Sequence, residues 1–548
     1  MASVAPLVPM PSGAPLIRES RERWVAAALT ATVAGLLLFA GPAPGDAPAH
    51  LYRTFLVRHG VVLWDNLWYA GHYPLASYSL LYYLPAAVVG NLPLVFGAAV
   101  ASAQLFVMIA YREWGTHARW ATRAFAVLAA APLFTGLYSY TVGFAALLGG
   151  LHALQRGRIA LFSLLAALTL GLSPLAFVFL IAILAAVALA RAGSRTHRIR
   201  VAGALSLLVL FEVVVLVVFP TSGTYPFDYR DLICVLGVCA LGVVVSARAA
   251  QSRVILWLFV VWGAGSVVAF LVPSAIGDNW TRLRGFVFPL MLLAAVHARF
   301  RPRLLVGSAI AASVAYNLIP YVMLIPYRAD GQPATATFWQ PAIRFLRSHG
   351  PPLYRVEVVP TAAHWESYWI PRAGFALARG WYRQLDIATN PVLYRRHLTR
   401  GAYNRWLRAM SVRYVLLPST KLDPDGGPAE RRMVVGDRSL RLVFADATWR
   451  IYRVRARDPL LSGSAPSALL ALGHTRISGW VASAGLYRLD VRYTPYWQIS
   501  PPTGCVERST NGMTLVRLRT AGRFTLRAPS SFDGILDVLG HSGAVCTS

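Results

Sequence analysis

The chain is poor in charged residues. Only 14% of its 548 residues are Asp, Glu, Lys or Arg, whereas a soluble domain has roughly 25%. Acidic residues are scarcest, with 23 Asp and Glu against 52 Lys and Arg, and Lys421 is the only lysine. Hydrophobic residues make up 56% of the chain, and their long runs lie before residue 326. A fully soluble protein of ordinary composition is thereby excluded.

Cysteine is also rare, and none of the four cysteines stands in a Cys-x-x-Cys or Cys/His spacing that would hold zinc. Cys234 and Cys239 lie inside an apolar run, which favours two small buried side chains. Cys505 and Cys546 lie near the end of the chain, where they could form a disulfide if that region is extracytoplasmic. A P-loop, a Gly-x-Ser-x-Gly elbow, a His-Glu-x-x-His helix and an EF-hand loop are likewise absent.

What the chain has in abundance is apolar runs of roughly 17–22 residues, and a run of that length crosses a ~30 Å hydrocarbon core. They predict a polytopic α-helical membrane domain at 24–325, behind a cytoplasmic tail at 1–23. Arg18, Arg21 and Arg23 before the first run favour a signal anchor, and no removable signal peptide is predicted. We predict eleven spans, at about 24–41, 91–111, 120–137, 140–155, 159–172, 174–191, 201–219, 232–247, 254–272, 285–298 and 304–325.

The distribution of arginines predicts the orientation. With the N-terminus in the cytoplasm, the cytoplasmic segments hold seventeen arginines and the opposite loops hold five, as the positive-inside rule requires. An odd number of spans then places the C-terminal region outside the cytoplasm, in a multi-pass protein of a bacterial plasma membrane. The cytoplasmic loops also account for the net charge of +29, so we predict membrane lipids and no nucleic acid as partners.

From about residue 326, short alternating runs replace the long apolar ones. They predict an extracytoplasmic α/β domain at 326–457 and an extracytoplasmic β-sandwich domain at 467–548, with a linker near 458–466. Predicted strands lie at 354–359, 413–417, 450–454, 485–493, 513–519, 523–528 and 534–539. Predicted helices lie at 339–348 and 393–410.

The first loop, residues 45–85, is too polar to cross a bilayer and too rich in Trp, Tyr, His and Asp for a plain connector. Asp46 lies at the end of the first span, before a predicted interfacial helix over 47–59. Its carboxylate could be the general base that takes the proton of a sugar hydroxyl, the N-cap of the helix, or both. His50 and Arg53 are candidate substrate-binding residues on that helix, with a solvated His50 as the alternative.

An aromatic cluster follows in the first loop. Trp64 and Trp68 are typical of the headgroup level of a membrane, where tryptophan anchors a chain. Asp65 lies between them and fits anchoring, or a hydrogen bond within the cluster, better than catalysis. We include all three residues among the candidates for substrate binding.

The second loop, residues 225–231, lies on the same predicted side of the membrane as the first. It offers Asp228, Arg230 and Asp231 for acceptor binding or as a further carboxylate. The alternative is an exposed Arg–Asp pair, which contributes little stability.

The third loop, residues 277–285, carries Asp278, Arg282 and Arg284 on that side as well. The orientation rule disfavours arginines there, so their presence calls for a reason. Bidentate contact with a lipid-linked phosphate is one reason, and contact with phospholipid headgroups is the alternative. Paired acids of the Asp-x-Asp type are absent from these loops, so no cofactor is certain and a divalent metal stays open without being indicated.

Several short motifs resemble those of the GT-C superfamily of glycosyltransferases, and more narrowly its actinobacterial members. In the loops they are Asp46-x-x-x-His50, the Trp-x-x-x-Trp-x-x-Gly-His-x-Pro run from Trp64 to Pro74, and the Ile-Gly-x-Asn-x-x-Arg-Leu run from Ile276 to Leu283. In the C-terminal region they are His364–Trp369, Ala378–Asp386 and Arg413–Pro418. Many spans, an Asp after the first of them and an extracytoplasmic C-terminal region complete the resemblance.

The resemblance implies an inverting enzyme that uses a polyprenyl-phosphate sugar donor and a cell-envelope glycan or glycolipid acceptor, with Asp46 as general base. Some members use a metal, but this sequence lacks the paired acids of several branches. A non-catalytic protein of glycan assembly or export with the same architecture is the alternative. A transporter is disfavoured because Glu212 is the only acid within a predicted span.

Two groups of residues in the C-terminal region can each be interpreted in two ways. Residues 378–386 would either contact a sugar or pack between domains. Trp480, Tyr496 and Trp497 would either bind carbohydrate or contribute to the core of the last domain.

Overall fold

The structure is a computed structural model, and it describes residues 14–74, 78–191, 195–219, 223–328, 330–529 and 544–546. The chain forms two compact units. The first unit comprises Met1–Gly41, Leu92–Val213 and Tyr225–Leu324, and the second comprises Pro42–Asn91, Val214–Thr224 and Ile325–Ser548. The first loop therefore belongs to the same unit as the C-terminal region, whereas the domains predicted from sequence place it within the membrane domain.

Helices form every regular element in the described part of the first unit and several in the second. They are α1 (Ala14–Phe39), α2 (Ala47–Arg58), α3 (Tyr83–Val89), α4 (Asn91–Trp114), α5 (Arg119–Leu128), α6 (Ala131–Thr135), α7 (Tyr138–Gln155), α8 (Ile159–Leu172), α9 (Pro174–Ala190), α10 (Arg195–Val218), α11 (Tyr229–Ser246), α12 (Arg253–Leu271), α13 (Val287–His297), α14 (Arg303–Arg328), α15 (Ala336–Ser348), α16 (Glu366–Arg372), α17 (Arg383–Thr389), α18 (Arg400–Ala409) and α19 (Gly427–Val434).

Six helical stretches among the described residues are long and apolar enough to cross a membrane. They are Arg18–Phe39, Asn91–Thr135, Arg198–Val218, Tyr229–Ser246, Ala250–Leu271 and Arg303–Pro326. α8 and α9 are apolar but have only 14 and 17 residues, and α13 has 11, too few to span ~30 Å at 1.5 Å per residue. The predicted number of eleven spans is therefore not confirmed, while a multi-pass membrane protein is supported.

Small residues let helices of the first unit approach closely. A Cβ atom at Gly242 of α11 would lie 2.5 Å from the Phe259 ring of α12. One at Gly143 of α7 would lie 2.7 Å from Cβ of Ser173, which precedes α9. Such contacts are typical of helices in a bilayer, where van der Waals fit takes over from the hydrophobic effect. They form the scaffold that carries the second and third loops.

Strands occur in the second unit. They are β1 (Arg355–Val358), β2 (Ala376–Leu377), β3 (Val412–Pro418), β4 (Leu440–Ala445), β5 (Trp449–Val454), β6 (Leu461–Gly463), β7 (Ser467–Leu472), β8 (Arg476–Val481), β9 (Gly485–Arg492), β10 (Gln498–Ser500), β11 (Gly504–Arg508), β12 (Met513–Leu518) and β13 (Gly522–Arg527).

The first five strands form one mixed sheet in the order β2-β1-β3-β5-β4. β1 is parallel to β2 and β3, and it is buried along its length, as expected of a parallel strand covered on both faces. The helix predicted at 393–410 is instead a 3₁₀ turn over Pro391–Tyr394 followed by α18. Thr399 starts α18 because its hydroxyl accepts a hydrogen bond from the Ala402 amide.

The other eight strands form two antiparallel sheets, β10-β13-β8-β7 and β11-β12-β9-β6, as a β-sandwich. β6 lies inside the predicted linker at 458–466, so the sandwich begins earlier than residue 467. Cys505 of β11 and Cys546 form a disulfide, the pairing considered from sequence. The strand predicted at 534–539 lies outside the described residues.

Candidate functional site

Asp46 occupies the N-cap position of α2 without capping the helix. α2 begins at Ala47, and Pro48 in its first turn sacrifices no intrahelical hydrogen bond. The Asp46 side chain makes no hydrogen bond to the helix backbone, and its Oδ1 instead accepts one from Trp381 Nε1 at 3.2 Å. Oδ2 receives no hydrogen bond from the described residues, and the side chain is half-buried. The carboxylate is therefore oriented, with one oxygen available to a ligand.

Trp381 is held firmly behind this carboxylate. Its ring stacks on the His364 imidazole, with the ring centroids 3.2 Å apart and the planes 9° apart. The guanidinium carbon of Arg383 lies 4.9 Å from the centroid of the Trp381 ring. Positive charge is favourable near an indole ring, so both neighbours stabilise the orientation of its N–H.

Two carboxylates lie beside His364 and favour its protonated form. Its Nδ1 lies 3.2 Å from Glu366 Oε1, and its Nε2 lies 3.8 Å from Asp423 Oδ1. Burial alone would lower the pKa of His364, but Asp423 and Glu366 raise it above the usual value. Asp423 in turn accepts two hydrogen bonds from Arg383, at 2.8 and 2.9 Å. One charged network thus supports the ring of Trp381 from behind.

The polar residues of α2 are buried. Eight of its twelve residues are buried, among them His50 and Arg53. His50 Nδ1 lies 3.0 Å from Tyr83 Oη, and Arg53 donates a hydrogen bond to the same oxygen at 3.2 Å. The Arg53 guanidinium carbon also lies 5.2 Å from the centroid of the Tyr382 ring. A solvated His50 is therefore wrong, because tyrosines of the same unit cover the polar face. The interfacial position of this helix stays a prediction.

Asp65 is a buried carboxylate held by hydrogen bonds. It is fully buried, accepts a hydrogen bond from Tyr52 Oη at 2.9 Å, and lies 2.8 Å from His474 Nδ1. Burial alone would raise the pKa of Asp65, but His474 lowers it, so the carboxylate stays ionised. Trp64 and Trp68 are buried as well, at 3% and 0% exposure. This burial contradicts membrane anchoring or substrate contact by the two tryptophans and leaves hydrogen bonding as the role of Asp65.

Three buried carboxylates share the guanidinium of Arg379, a cluster that the sequence analysis missed. Arg379 donates two hydrogen bonds to Asp386, at 2.9 and 2.6 Å, donates one to Glu430, and lies 3.6 Å from Glu357. Burial raises the pKa of Glu357 well above its usual value and raises the pKa of Glu430 to about 7, although Arg379 opposes both shifts. The cluster therefore retains a proton near neutral pH.

We expect replacement of Glu430 by glutamine to flatten the pH dependence of stability. In the unfolded chain this carboxyl has an ordinary pKa of 4.5, below its folded value of about 7. Its contribution to stability is therefore complete below pH 4.5 and is lost as the pH rises through 7. Between those pH values the unfolding free energy of the unaltered protein should fall more steeply with pH than that of the variant. The difference between the two slopes should be up to about 1.4 kcal/mol per pH unit.

Unfolding of the full chain in detergent, followed at pH 5, 6, 7 and 8, measures this slope. Glu507→Gln is the matched control, since Glu507 is a partly exposed carboxyl on β11. An unchanged slope in Glu430→Gln would show that Glu430 titrates normally in the folded protein.

The acids of the second loop serve the start of α11 in the first unit. Asp228 is the N-cap, and its Oδ1 accepts a hydrogen bond from the Arg230 amide at 2.8 Å. Asp231 lies in the first turn, where negative charge complements the helix dipole. Arg230 forms no ion pair with either acid in the described residues, and its Nε donates to Tyr229 Oη at 3.2 Å. Helix initiation explains both acids, and acceptor binding by this loop stays a prediction.

The third loop forms a 3₁₀ segment over Gly277–Phe286 and contacts the second loop. Gly277 has φ +40°, and a Cβ atom there would lie 1.8 Å from the carbonyl oxygen of Tyr225, so this approach requires glycine. Burial raises the pKa of Asp278, and Asp231 adds to that shift while Arg284 opposes it. The second and third loops thus form one local surface of the first unit.

The two arginines of the third loop have different surroundings. Arg284 donates a hydrogen bond from Nη2 to Thr281 Oγ1 at 2.6 Å, within the loop itself. Arg282 lines a cavity of about 40 Å³ in the first unit, together with Tyr140, Tyr321 and a largely apolar wall. A cavity of this size holds a few water-sized groups, so it admits a small anionic group beside the guanidinium.

Residues of two C-terminal motifs complete the candidate site. Trp381, His364 and Arg383 come from residues 364–369 and 378–386, whose density of aromatic and charged side chains was the only signal. In the structure, Trp381 and Tyr382 of this segment are buried within the second unit. Both interpretations of the segment, sugar contact and packing between domains, stay predictions. Among the described residues, no group of three or more His, Cys, Asp or Glu could hold a metal ion.

No protein-family model matches the chain, and no curated protein sequence matches it either. Among solved structures, the chain is similar to a cryo-electron microscopy structure of the arabinofuranosyltransferase AftD from mycobacteria, with 14% sequence identity and a TM-score of 0.41. The similarity covers 96% of this chain and 60% of the AftD chain, so this chain spans about three fifths of the length of AftD.

Proposed function

We propose that this protein is a GT-C-type membrane glycosyltransferase. It transfers a sugar from a polyprenyl-phosphate donor to a cell-envelope glycan or glycolipid on the extracytoplasmic face, with inversion at the anomeric carbon. The observation that carries the proposal is the Asp46 carboxylate, which is half-buried, fixed by one hydrogen bond from Trp381, and open at Oδ2. An N-cap position that is not used for capping supports a role for this side chain outside the helix.

The chemistry needs one base. The acceptor hydroxyl oxygen forms a bond to the anomeric carbon of the donor while the bond from that carbon to the phosphate oxygen breaks. Polyprenyl phosphate leaves, and the hydroxyl proton passes to Oδ2 of Asp46 as the new bond forms. The Trp381 N–H holds Oδ1 throughout, so the free oxygen keeps its direction toward the acceptor. A single displacement of this kind inverts the configuration of the anomeric carbon.

Arg282 is the donor-phosphate contact in this proposal. Its guanidinium lines a small cavity whose wall is otherwise largely apolar, a setting that favours charge-assisted hydrogen bonds to phosphate oxygens. Arg284 is secondary because it does not line this cavity. His50 and Arg53 support the fold of the first loop in this proposal, since both are buried against Tyr83.

The test of the function uses membranes from a deletion strain and from the same strain with the gene restored. Each is supplied with a panel of polyprenyl-phosphate sugars labelled in the sugar. Label in envelope glycan only in the restored membranes is the expected result. Equal incorporation in both, for every donor, would contradict an enzymatic role and favour the non-catalytic function in glycan assembly or export.

Replacement of Arg282 by glutamine should weaken donor-lipid binding by roughly tenfold or more, because a hydrogen bond to a charged group is lost. Arg284→Gln should have a smaller effect. Binding of a polyprenyl-phosphate sugar to the purified protein is the measurement. Arg253→Gln, at an exposed arginine that begins α12 in the same unit, is the matched control. Equal affinities for Arg282→Gln and the control would rule out phosphate contact by Arg282.

A further inference from the structure

One outer face of the β-sandwich presents a tryptophan to solvent. β13 and β8 are the central strands of the sheet β10-β13-β8-β7. Successive residues of a strand point to opposite sides, and the inward set includes Ile477, Phe524 and Leu526, all buried. The outward set, here named the Trp480 face, consists of Arg476, Ser478 and Trp480 on β8 and Arg523, Thr525 and Arg527 on β13.

Trp480 lies next to an irregularity of the sheet, where the register between β7 and β8 shifts between Leu469 and Ala471. Arg523 of β13 is its partner on one side and Ala468 of β7 on the other, so only one long side chain flanks the ring. Trp480 is 39% exposed, although Trp497 of the same domain is fully buried. The sequence offered both tryptophans for either carbohydrate contact or the core, and the structure separates them: Trp497 belongs to the core and Trp480 presents an accessible ring.

The rest of the Trp480 face is polar and positively charged. Ser478 Oγ and Thr525 Oγ1 lie 3.0 Å apart in the row next to Trp480. In the following row Arg476 pairs directly with Arg527, and like charges opposite one another destabilise a sheet. None of the three arginines has an ion-pair partner among the described residues, and each is exposed.

The exposed ring of Trp480 and the facing charges of Arg476 and Arg527 both destabilise the free protein. One kind of ligand relieves both effects. A sugar ring covers the exposed indole by stacking, and negative groups on the same ligand neutralise the arginines. The hydroxyl row between them suits the hydroxyl groups of a sugar. The Trp480 and Arg476 rows are four residues apart along β8, or about 13 Å, so the ligand must be longer than a single anion.

We propose that the Trp480 face binds an acidic polysaccharide, a glycan with carboxylate or phosphodiester groups along its chain. The sugar ring stacks on Trp480, and Arg476, Arg523 and Arg527 pair with the anionic groups. Leu470 on the neighbouring strand β7 is exposed as well, but the hydroxyl row of Ser478 and Thr525 and the three exposed arginines favour a hydroxylated, anionic ligand over acyl chains. This binding site is independent of Asp46 and of the transfer reaction.

The test uses the full-length protein in nanodiscs of phosphatidylcholine. The probes are oligogalacturonate, which carries carboxylates, its neutral methyl ester, and phosphomannan, which carries phosphodiesters. We expect at least one anionic glycan to bind, with affinity that falls as salt rises. Trp480→Ala should weaken that binding by roughly tenfold, Arg523→Gln should weaken it severalfold, and the methyl ester should bind at least tenfold more weakly.

Matched controls come from the opposite sheet of the sandwich. Leu486→Ala removes an exposed apolar side chain from β9, and Arg517→Gln removes an exposed arginine from β12. Both should bind the glycan as the unaltered protein does, and thermal unfolding verifies that all variants are folded. The proposal is overturned by no binding of either anionic glycan, by equal binding of the methyl ester, or by unchanged binding in both Trp480→Ala and Arg523→Gln. Binding only to phosphatidylglycerol vesicles would overturn it as well, in favour of a membrane contact.

Discussion

Replacing Asp46 with asparagine is expected to lower the rate of sugar transfer by roughly 10²- to 10⁴-fold, the usual contribution of a general base. Asparagine keeps the shape of the side chain, and its carbonyl oxygen can still accept the hydrogen bond from Trp381. Its amide cannot take up the hydroxyl proton. The effect should therefore fall on kcat with KM little changed, measured with the labelled polyprenyl-phosphate sugar that supports transfer.

Two controls separate chemistry from structure in this experiment. Trp381→Phe keeps an aromatic ring against His364 but removes the N–H, so it should cost much less, roughly tenfold. Thermal unfolding of Asp46→Asn should match that of the unaltered protein, since Asp46 makes no capping bond. A folded Asp46→Asn variant with full activity would exclude Asp46 as the base.

Replacing Arg379 with methionine should destabilise the second unit by about 3–5 kcal/mol, the usual effect of removing one partner from a buried ion pair. Asp386, Glu430 and Glu357 would be left together in the interior with no cation between them. Methionine fills a similar volume, so the loss comes from charge rather than from a cavity. Chemical unfolding of the full chain, followed by tryptophan fluorescence, measures the change.

Arg372→Met is the control for this prediction, because Arg372 is exposed on α16 and should change stability by about 0.5 kcal/mol at most. The double variant Arg379→Met with Glu430→Gln should recover part of the loss, since one buried carboxyl is then neutral. If Arg379→Met proved as stable as Arg372→Met, all three carboxyl groups, and not only one of them, would have to be protonated or hydrated in the folded protein.

Local signals in the sequence predicted six of the thirteen observed strands, β1, β3, β5, β9, β12 and β13. The predicted helix over 47–59 corresponds to α2, because Pro48 and the preceding Asp46 are sufficient to mark a helix start. The alternation of apolar and polar residues placed β3 and β5 within one residue of their observed ends. The same signal missed β6, because three residues among glycine, serine and proline carry too little pattern.

The number of spans was less predictable, because hydropathy alone does not distinguish a span from a shorter buried helix. α8 and α9 are almost wholly apolar, yet they have only 14 and 17 residues. Six longer stretches meet the length and composition of a span among the described residues. A helix that is buried inside a bundle is as apolar as a helix that contacts lipid. The sequence alone therefore does not distinguish the two.

Of the candidate site, only Asp46 could be predicted from the sequence. Asp46 was identified from its place after an apolar run, but its partner Trp381 is 335 residues away. Asp65 and His474 are 409 residues apart, and nothing local marks them as a pair. Burial of His50 and Arg53 was also hidden, because a polar helix face covered by tyrosines has the sequence of a solvated one.

The first loop is synthesised long before the C-terminal region with which it forms one unit. At about 5–20 residues per second, a ribosome needs roughly 20 to 80 s to travel from Asp65 to His474. During that interval Trp64, Trp68 and Tyr52 have left the ribosome without the side chains that later bury them. A chain that stops before His474 leaves these side chains without their partners, so we expect it to be degraded rather than to accumulate.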